Sequence, residues 1–141
     1  MKEKILISAC LLGVNCKYNG GNNYNEELIQ QIKKEYDLIP ICPEIYGGLT
    51  TPRYPSEIKD EIVINSEGTD VTKNYKKGAE ETLKIAKILN VKKAILKSKS
   101  PSCGKGKIYN GTFQNILIDG NGITTNLLEK NGIEVITEKE L

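Results

Sequence analysis

Short apolar runs that alternate with segments of helical spacing commit this chain to an α/β architecture. Residues 4–9 (Lys-Ile-Leu-Ile-Ser-Ala) end at Cys10, and glycine follows so soon that the run reads as a buried strand and not as half a helix. Over residues 25–36, Leu28, Ile29, Ile32 and Tyr36 recur at helical spacing, and residues 37–41 predict a second strand, completing a β-α-β unit. Glycine and proline crowd residues 43–55, a loop long enough to imply a functional role. Residues 61–65 form a short strand. Asp70 and Thr72 are placed to cap a helix through Tyr75, Ala79, Leu83, Ala86 and Leu89. A strand at 93–96 follows, then a Ser-, Gly- and Pro-rich loop through Lys107, and a short strand or excursion at 113–119. A helix at 124–130, stopped by Asn131-Gly132, and a last strand at 133–136 end the chain. The pattern predicts a single three-layer α/β domain over residues 1–141, with a mostly parallel, Rossmann-like sheet and helices on both faces.

What the chain lacks narrows its chemistry. It contains no His, so the usual serine or cysteine triads and the His-containing zinc sites cannot be assembled from it. Twenty Lys plus Arg against 18 Asp plus Glu leave a net charge of +2, too small for the basic field of a stable nucleic-acid binder. The apolar run after Met1 is too short for a signal peptide and no stretch is long enough to span a membrane, which points to a cytoplasmic protein. A monomer or homodimer is expected, although the sequence does not fix which. Four cysteines in a reducing compartment are metal-binding or catalytic more often than disulfide-forming.

Their placement is informative. In open α/β sheets, ligands bind beyond the carboxyl ends of the strands. Cys10 ends the first predicted strand, Cys42 the second, and Cys103 lies in the loop after the strand at 93–96. Any one of them is as readily a small buried hydrophobe as a ligand. Three in equivalent topological positions favour a shared metal or cluster. Structural zinc sites usually show close Cys-x-x-Cys pairs, and here the nearest pair, Cys10 and Cys16, has five intervening residues. That spacing also argues against a thioredoxin-like thiol pair, and Cys-Leu-Leu-Gly-Val-Asn after the first strand is not a dinucleotide-binding fingerprint. If Cys16 ligates too, a cubane cluster is closed and the protein is a carrier or sensor. With three ligands, one iron stays open for Lewis-acid chemistry.

Several segments together resemble the domain of unknown function 523 family, which includes the stand-alone thiouracil desulfidases. They are Ser8-Ala9-Cys10-Leu11-Leu12-Gly13, residues 15–20 (Asn-Cys-Lys-Tyr-Asn-Gly), Cys42-Pro43-Glu44, residues 47–53 (Gly-Gly-Leu-Thr-Thr-Pro-Arg), Asp70-Val71-Thr72 with Tyr75 and Gly78-Ala79, and Ser100-Pro101-Ser102-Cys103-Gly104. The resemblance runs through almost the whole chain. It implies a four-iron four-sulfur cluster on Cys10, Cys42 and Cys103, with the fourth iron free to bind the sulfur of a thiolated pyrimidine, either thiouracil or 4-thiouridine monophosphate. It implies a non-redox removal of that sulfur as hydrogen sulfide, with Glu44 taking a proton from the attacking water. The competing reading is a non-catalytic iron-sulfur or zinc-binding carrier or sensor.

Individual residues carry an ordinary reading beside the functional one. Glu44 alone would be a helix cap or a solvated carboxylate; next to Cys42 it is the candidate base. Ser100 and Ser102 form a turn signal, and their hydroxyls also suit a pyrimidine carbonyl or a water beside Cys103. Arg53, the single Arg, either grips a substrate anion or pairs with Glu44 or Glu57. Lys105, in Lys-Gly-Lys, is a phosphate-binding candidate or a surface turn. Asn15 and Tyr18 are candidate base contacts or turn and core residues, and Cys16 is placed near the site without ligating.

Overall fold

The computed structural model describes residues 2–140. Strands β1 (Glu3–Ser8), β2 (Tyr36–Ile41), β5 (Lys93–Leu96) and β8 (Glu134–Thr137) form one sheet in the order β2-β1-β5-β8, with every neighbouring pair parallel. Helix α1 (Glu26–Ile32) connects β1 to β2, whereas α3 (Thr72–Ile88) precedes β5 and α4 (Ile123–Lys130) joins it by way of a loop to β8. The chain thus winds outward from β1 in one direction and through β5 in the other, so a topological switch point lies between β1 and β5.

Alternation along β1 divides the core between the two faces of the sheet. Ile5 and Ile7 pack with Leu28, Ile29 and Ile32 of α1, while Leu6 packs on the opposite side with Ala86 of α3 and Leu128 of α4. The three-layer arrangement expected from the sequence is therefore present. Pro40 in β2 removes a ladder donor and is accommodated because β2 is an edge strand. Among the described residues, no helix is long and apolar enough to cross a membrane.

The structure corrects several element boundaries. The first helix stops at Ile32, and Tyr36 opens β2 instead of closing the helix, because the polar turn at residues 33–35 reverses the chain between two apolar residues that fit either period. The predicted loop at 43–55 begins with a single helical turn, α2 (Pro43–Tyr46), for which Pro43 is a suitable first residue. A strand missed in the sequence, β3 (Ser56–Lys59), pairs antiparallel with β4 (Ile62–Asn65). Asp60 and Glu61 supply the two left-handed residues of the tight turn between them, so Glu61 belongs to the turn and not to the predicted strand. Asp70 and Thr72 also act differently from simple caps. The Asp70 carboxylate accepts the Thr72 N–H at 2.9 Å, and the Thr72 hydroxyl accepts the Val63 N–H at 2.8 Å, tying the start of α3 to β4. Lastly, β6 (Lys107–Tyr109) emerges from the Gly-rich loop and pairs with β7 (Leu117–Asp119).

Helices α2 and α3 meet backbone to backbone. A Cβ on Gly47 would overlap the Asn74 carbonyl, and one on Gly78 would overlap the Pro43 carbonyl. Helix propensity alone would make Gly78→Ala stabilising by about 1 kcal/mol. The obstacle is a rigid carbonyl, so we expect net destabilisation of roughly 1–3 kcal/mol, read as a lower urea midpoint at an unchanged denaturant slope.

Candidate active site

Three adjacent strands, β2, β1 and β5, deliver their carboxyl ends to one edge of the sheet. Cys10 lies in the 3₁₀ turn Ala9–Leu12 directly after β1, a turn closed by Gly13 at φ 92°. Cys42 follows β2 and starts α2. Cys103 stands in the loop beyond β5, and that loop is fixed by the start of α4: the Pro101 and Ser102 carbonyls accept the Ile123 and Thr124 N–H groups, both at 2.9 Å. First-turn donors that a side-chain cap would otherwise satisfy are thereby used to place a cysteine. Ser8 also binds the two central strands together, its hydroxyl accepting the Lys97 N–H at 2.8 Å.

Cys10, Cys16, Cys42 and Cys103 line one cavity of about 680 Å³, within the usual range for small-molecule sites. All four are free thiols. Burial raises the affinity of Cys10 for its proton, with an Asn23 hydrogen bond opposing that shift. Burial likewise pushes Cys103 up, partly offset by hydrogen bonds from Ser102 and Ser8. Cys16 and Cys42 face the same cavity and shift each other's proton affinity in opposite directions. The interaction with Cys42, together with burial, pushes the Cys16 thiol up, while Cys42 is lowered by Cys16 and by the Ile45 backbone against the opposing effect of burial.

Glu44 is the charge common to these sulfurs, since its carboxylate raises the proton affinity of all four. Its side chain is 12% exposed, and the Arg53 guanidinium is 3.9 Å away, too far for a direct hydrogen bond. The carboxylate thus keeps acceptor capacity for a water in the cavity. Arg53 instead donates to the Cys16 carbonyl at 3.0 Å and to the Thr51 hydroxyl at 3.2 Å, so it fastens the Cys16 segment to the loop after α2. Of the two pairings weighed for Arg53 in the sequence, the long one with Glu44 is present. Glu57 accepts backbone N–H groups elsewhere.

The structure brings Glu44, Ser100, Tyr18, Arg53 and the four cysteines to the cavity wall. Ser102 is fully buried, its hydroxyl against the Cys103 sulfur at 3.4 Å and the Ser100 hydroxyl at 2.9 Å. It thus acts on Cys103 and has no face toward a ligand. Asn15 and Lys105 are not brought there. Asn15 accepts from Asn22 at 2.9 Å, and the Lys105 ammonium is occupied by the Glu129 carboxylate at 2.9 Å and the Val135 carbonyl at 2.7 Å. The neighbouring Lys107 pairs with Asp119, so the Lys-Gly-Lys turn holds no cation aimed at the cavity.

Sequence reasoning missed Ser8 and Lys97, although both sit at the strand ends where ligands bind. Lys97 lines the cavity and pairs with Glu138 at 2.9 Å. Burial alone would raise the Glu138 carboxyl, but Lys97 and the Ser98 N–H outweigh it and hold it below the usual range.

The donor set distinguishes one kind of metal centre from another. Among the described residues, no three Cys, Asp or Glu side chains converge where a single ion could be held. The four thiols share one cavity and, in a chain without His, offer the all-thiolate ligation of an iron-sulfur cluster.

Comparison with known proteins agrees with this geometry. The family model described as 2-thiouracil desulfurase matches residues 5–140. A Bacillus subtilis (strain 168) protein, uncharacterized protein YbbK, is 44% identical over 147 aligned positions covering 97% of each chain. A solved structure, the [4Fe-4S]-dependent thiouracil desulfidase TudS, is 40% identical and superposes with a TM-score of 0.92, over 99% of this chain and 93% of that one.

Proposed function

Because this chain belongs to the 2-thiouracil desulfurase family, we propose that its cavity replaces the sulfur of a thiolated pyrimidine with oxygen, by means of a four-iron four-sulfur cluster held by Cys10, Cys42 and Cys103. The substrate is thiouracil or 4-thiouridine monophosphate. The observation that carries this reading is the delivery of three thiols and one carboxylate to a common cavity by neighbouring strand ends. A cluster bound through three thiolates leaves one iron without a protein ligand, and that iron supplies Lewis acidity toward the substrate's sulfur.

The protein's own groups do the rest. Glu44 accepts a proton from the water that attacks the ring carbon. The carbon–sulfur bond breaks as the carbon–oxygen bond forms, and the two protons of water leave with sulfide as hydrogen sulfide. No electrons are exchanged. Arg53 holds the Cys16 segment beside Glu44, and Ser100, hydrogen-bonded to Ser102, orients water or a ring carbonyl next to Cys103.

Anaerobic reconstitution of the full chain tests the reading. About four irons and four sulfides per chain, with hydrogen sulfide released from thiouracil or 4-thiouridine monophosphate, are the expected results. A second reading, a carrier or sensor, draws on the position of Cys16 in the same cavity, where a fourth thiolate would close the cluster. A stable cluster that releases no sulfide from either compound would favour that reading and sink the first.

A further inference from the structure

The cavity that holds the thiols is also lined by Tyr109, Phe113 and Asn115, from β6 and the loop that joins it to β7. Phe113 is the only Phe in the chain. It stands at φ 59°, in the left-handed region, where Asn115 at φ 60° is at ease and a bulky aromatic is not. It is also 38% exposed. Neither backbone preference nor burial explains an aromatic ring in this position, and such unfavoured placements persist where the surroundings enforce them for another purpose.

The enforcing group is Glu57. It is only 9% exposed, and one carboxylate oxygen accepts the Gly111 N–H at 3.0 Å and the Phe113 N–H at 3.1 Å. Gly111, at φ 94°, lies so close to Ile58 and Lys59 that a Cβ there would meet them. Asn110 completes the fixation from within, its side-chain oxygen accepting the Thr112 N–H at 3.0 Å. A buried carboxylate on the β3–β4 hairpin thus clamps a strained loop over the cavity.

We propose that Phe113 contacts the substrate, presenting its ring as a flat apolar wall to the face of the pyrimidine, and that Glu57 is the positioning residue that holds it there. The inference rests on the desulfidase reading for the identity of the ligand. Stacking on an aromatic ring is sequence-tolerant and strong enough that its loss should raise KM roughly tenfold or more. Uniform binding of this kind leaves kcat largely unchanged.

The test uses the cluster-loaded protein and whichever thiolated pyrimidine it desulfurises. Phe113→Leu should raise KM roughly tenfold with little change in kcat. Phe113→Gly should do the same although glycine suits the left-handed backbone and keeps the Glu57 hydrogen bonds; a purely structural ring would leave KM unmoved in that variant. Glu57→Leu should raise KM and speed amide exchange at Gly111 and Phe113, and Glu57→Gln, which keeps the acceptor oxygen, should restore both. Wild-type KM in both Phe113 variants would overturn the contact. Unchanged exchange and KM in Glu57→Leu would overturn the clamp. If the loaded wild type releases no sulfide, the desulfidase reading fails on its own; calorimetric titration with thiouracil then decides the contact, which is overturned when Phe113→Leu binds as the wild type does.

Discussion

Cys103→Ala is expected to bring iron content after anaerobic reconstitution from about four per chain to near zero, and sulfide release to background. The Cys103 sulfur is buried in the loop beyond β5, and the groups against it are the hydroxyls of Ser102 and Ser8, which steady a thiolate but do not ligate iron as one. Cys10→Ala and Cys42→Ala should behave alike. Cys16→Ala should not. Cys16 lies beyond the turn that carries Cys10 and not at a strand end, and its segment is held by Arg53 through the Cys16 carbonyl, so its removal should leave the three strand-end thiols in place. The decisive measurement is iron and sulfide content of the four variants side by side. Loss of iron in Cys16→Ala as complete as in Cys103→Ala would mean a closed four-thiolate site, and the carrier reading would replace the enzyme.

Glu44→Gln carries the second large effect. The amide keeps the shape of the side chain but cannot accept a proton from water, so kcat should fall by about 10²–10⁴-fold while the visible absorbance of the cluster stays that of the wild type. Arg53 lies 3.9 Å from this carboxylate and makes its hydrogen bonds to other groups, so the substitution should leave the loop after α2 in place. A Glu44→Gln enzyme with wild-type kcat would show that the proton goes elsewhere, with Lys97, also on the cavity wall, the next group to change.

Much of this was legible from periodicity and position. Cys10, Cys42 and Cys103 could be assigned to one edge because each follows an apolar run, and the ends of neighbouring parallel strands lie side by side. The strand β3 was hidden because Ser56-Glu57-Ile58-Lys59 has one apolar residue, and its pairing is set by the Asp60-Glu61 turn, which lacks the usual glycine. Glu57 was read only as a possible partner of Arg53, and its link to Phe113 was invisible for a related reason: 56 positions separate the two, and only the antiparallel hairpins bring them together. Lys105 was misleading because a Lys-Gly-Lys turn suggests anion binding, whereas its partner Glu129 sits on a helix that the turn could not announce.

The contact of Gly47 with Asn74 and of Gly78 with Pro43 also bears on how the site opens. A loop that bears a metal ligand is usually among the first segments to exchange its amides with solvent. Here the turn after Cys42 is seated on the backbone of the longest helix, with the Asn74 amide donating to the Gly47 carbonyl at 2.9 Å. Amides of Tyr46 and Gly47 should therefore exchange with the protection of α3, through the same cooperative opening. On that expectation the turn carrying Cys42 and Glu44 has no private route to unfolding and opens together with the helix beneath it.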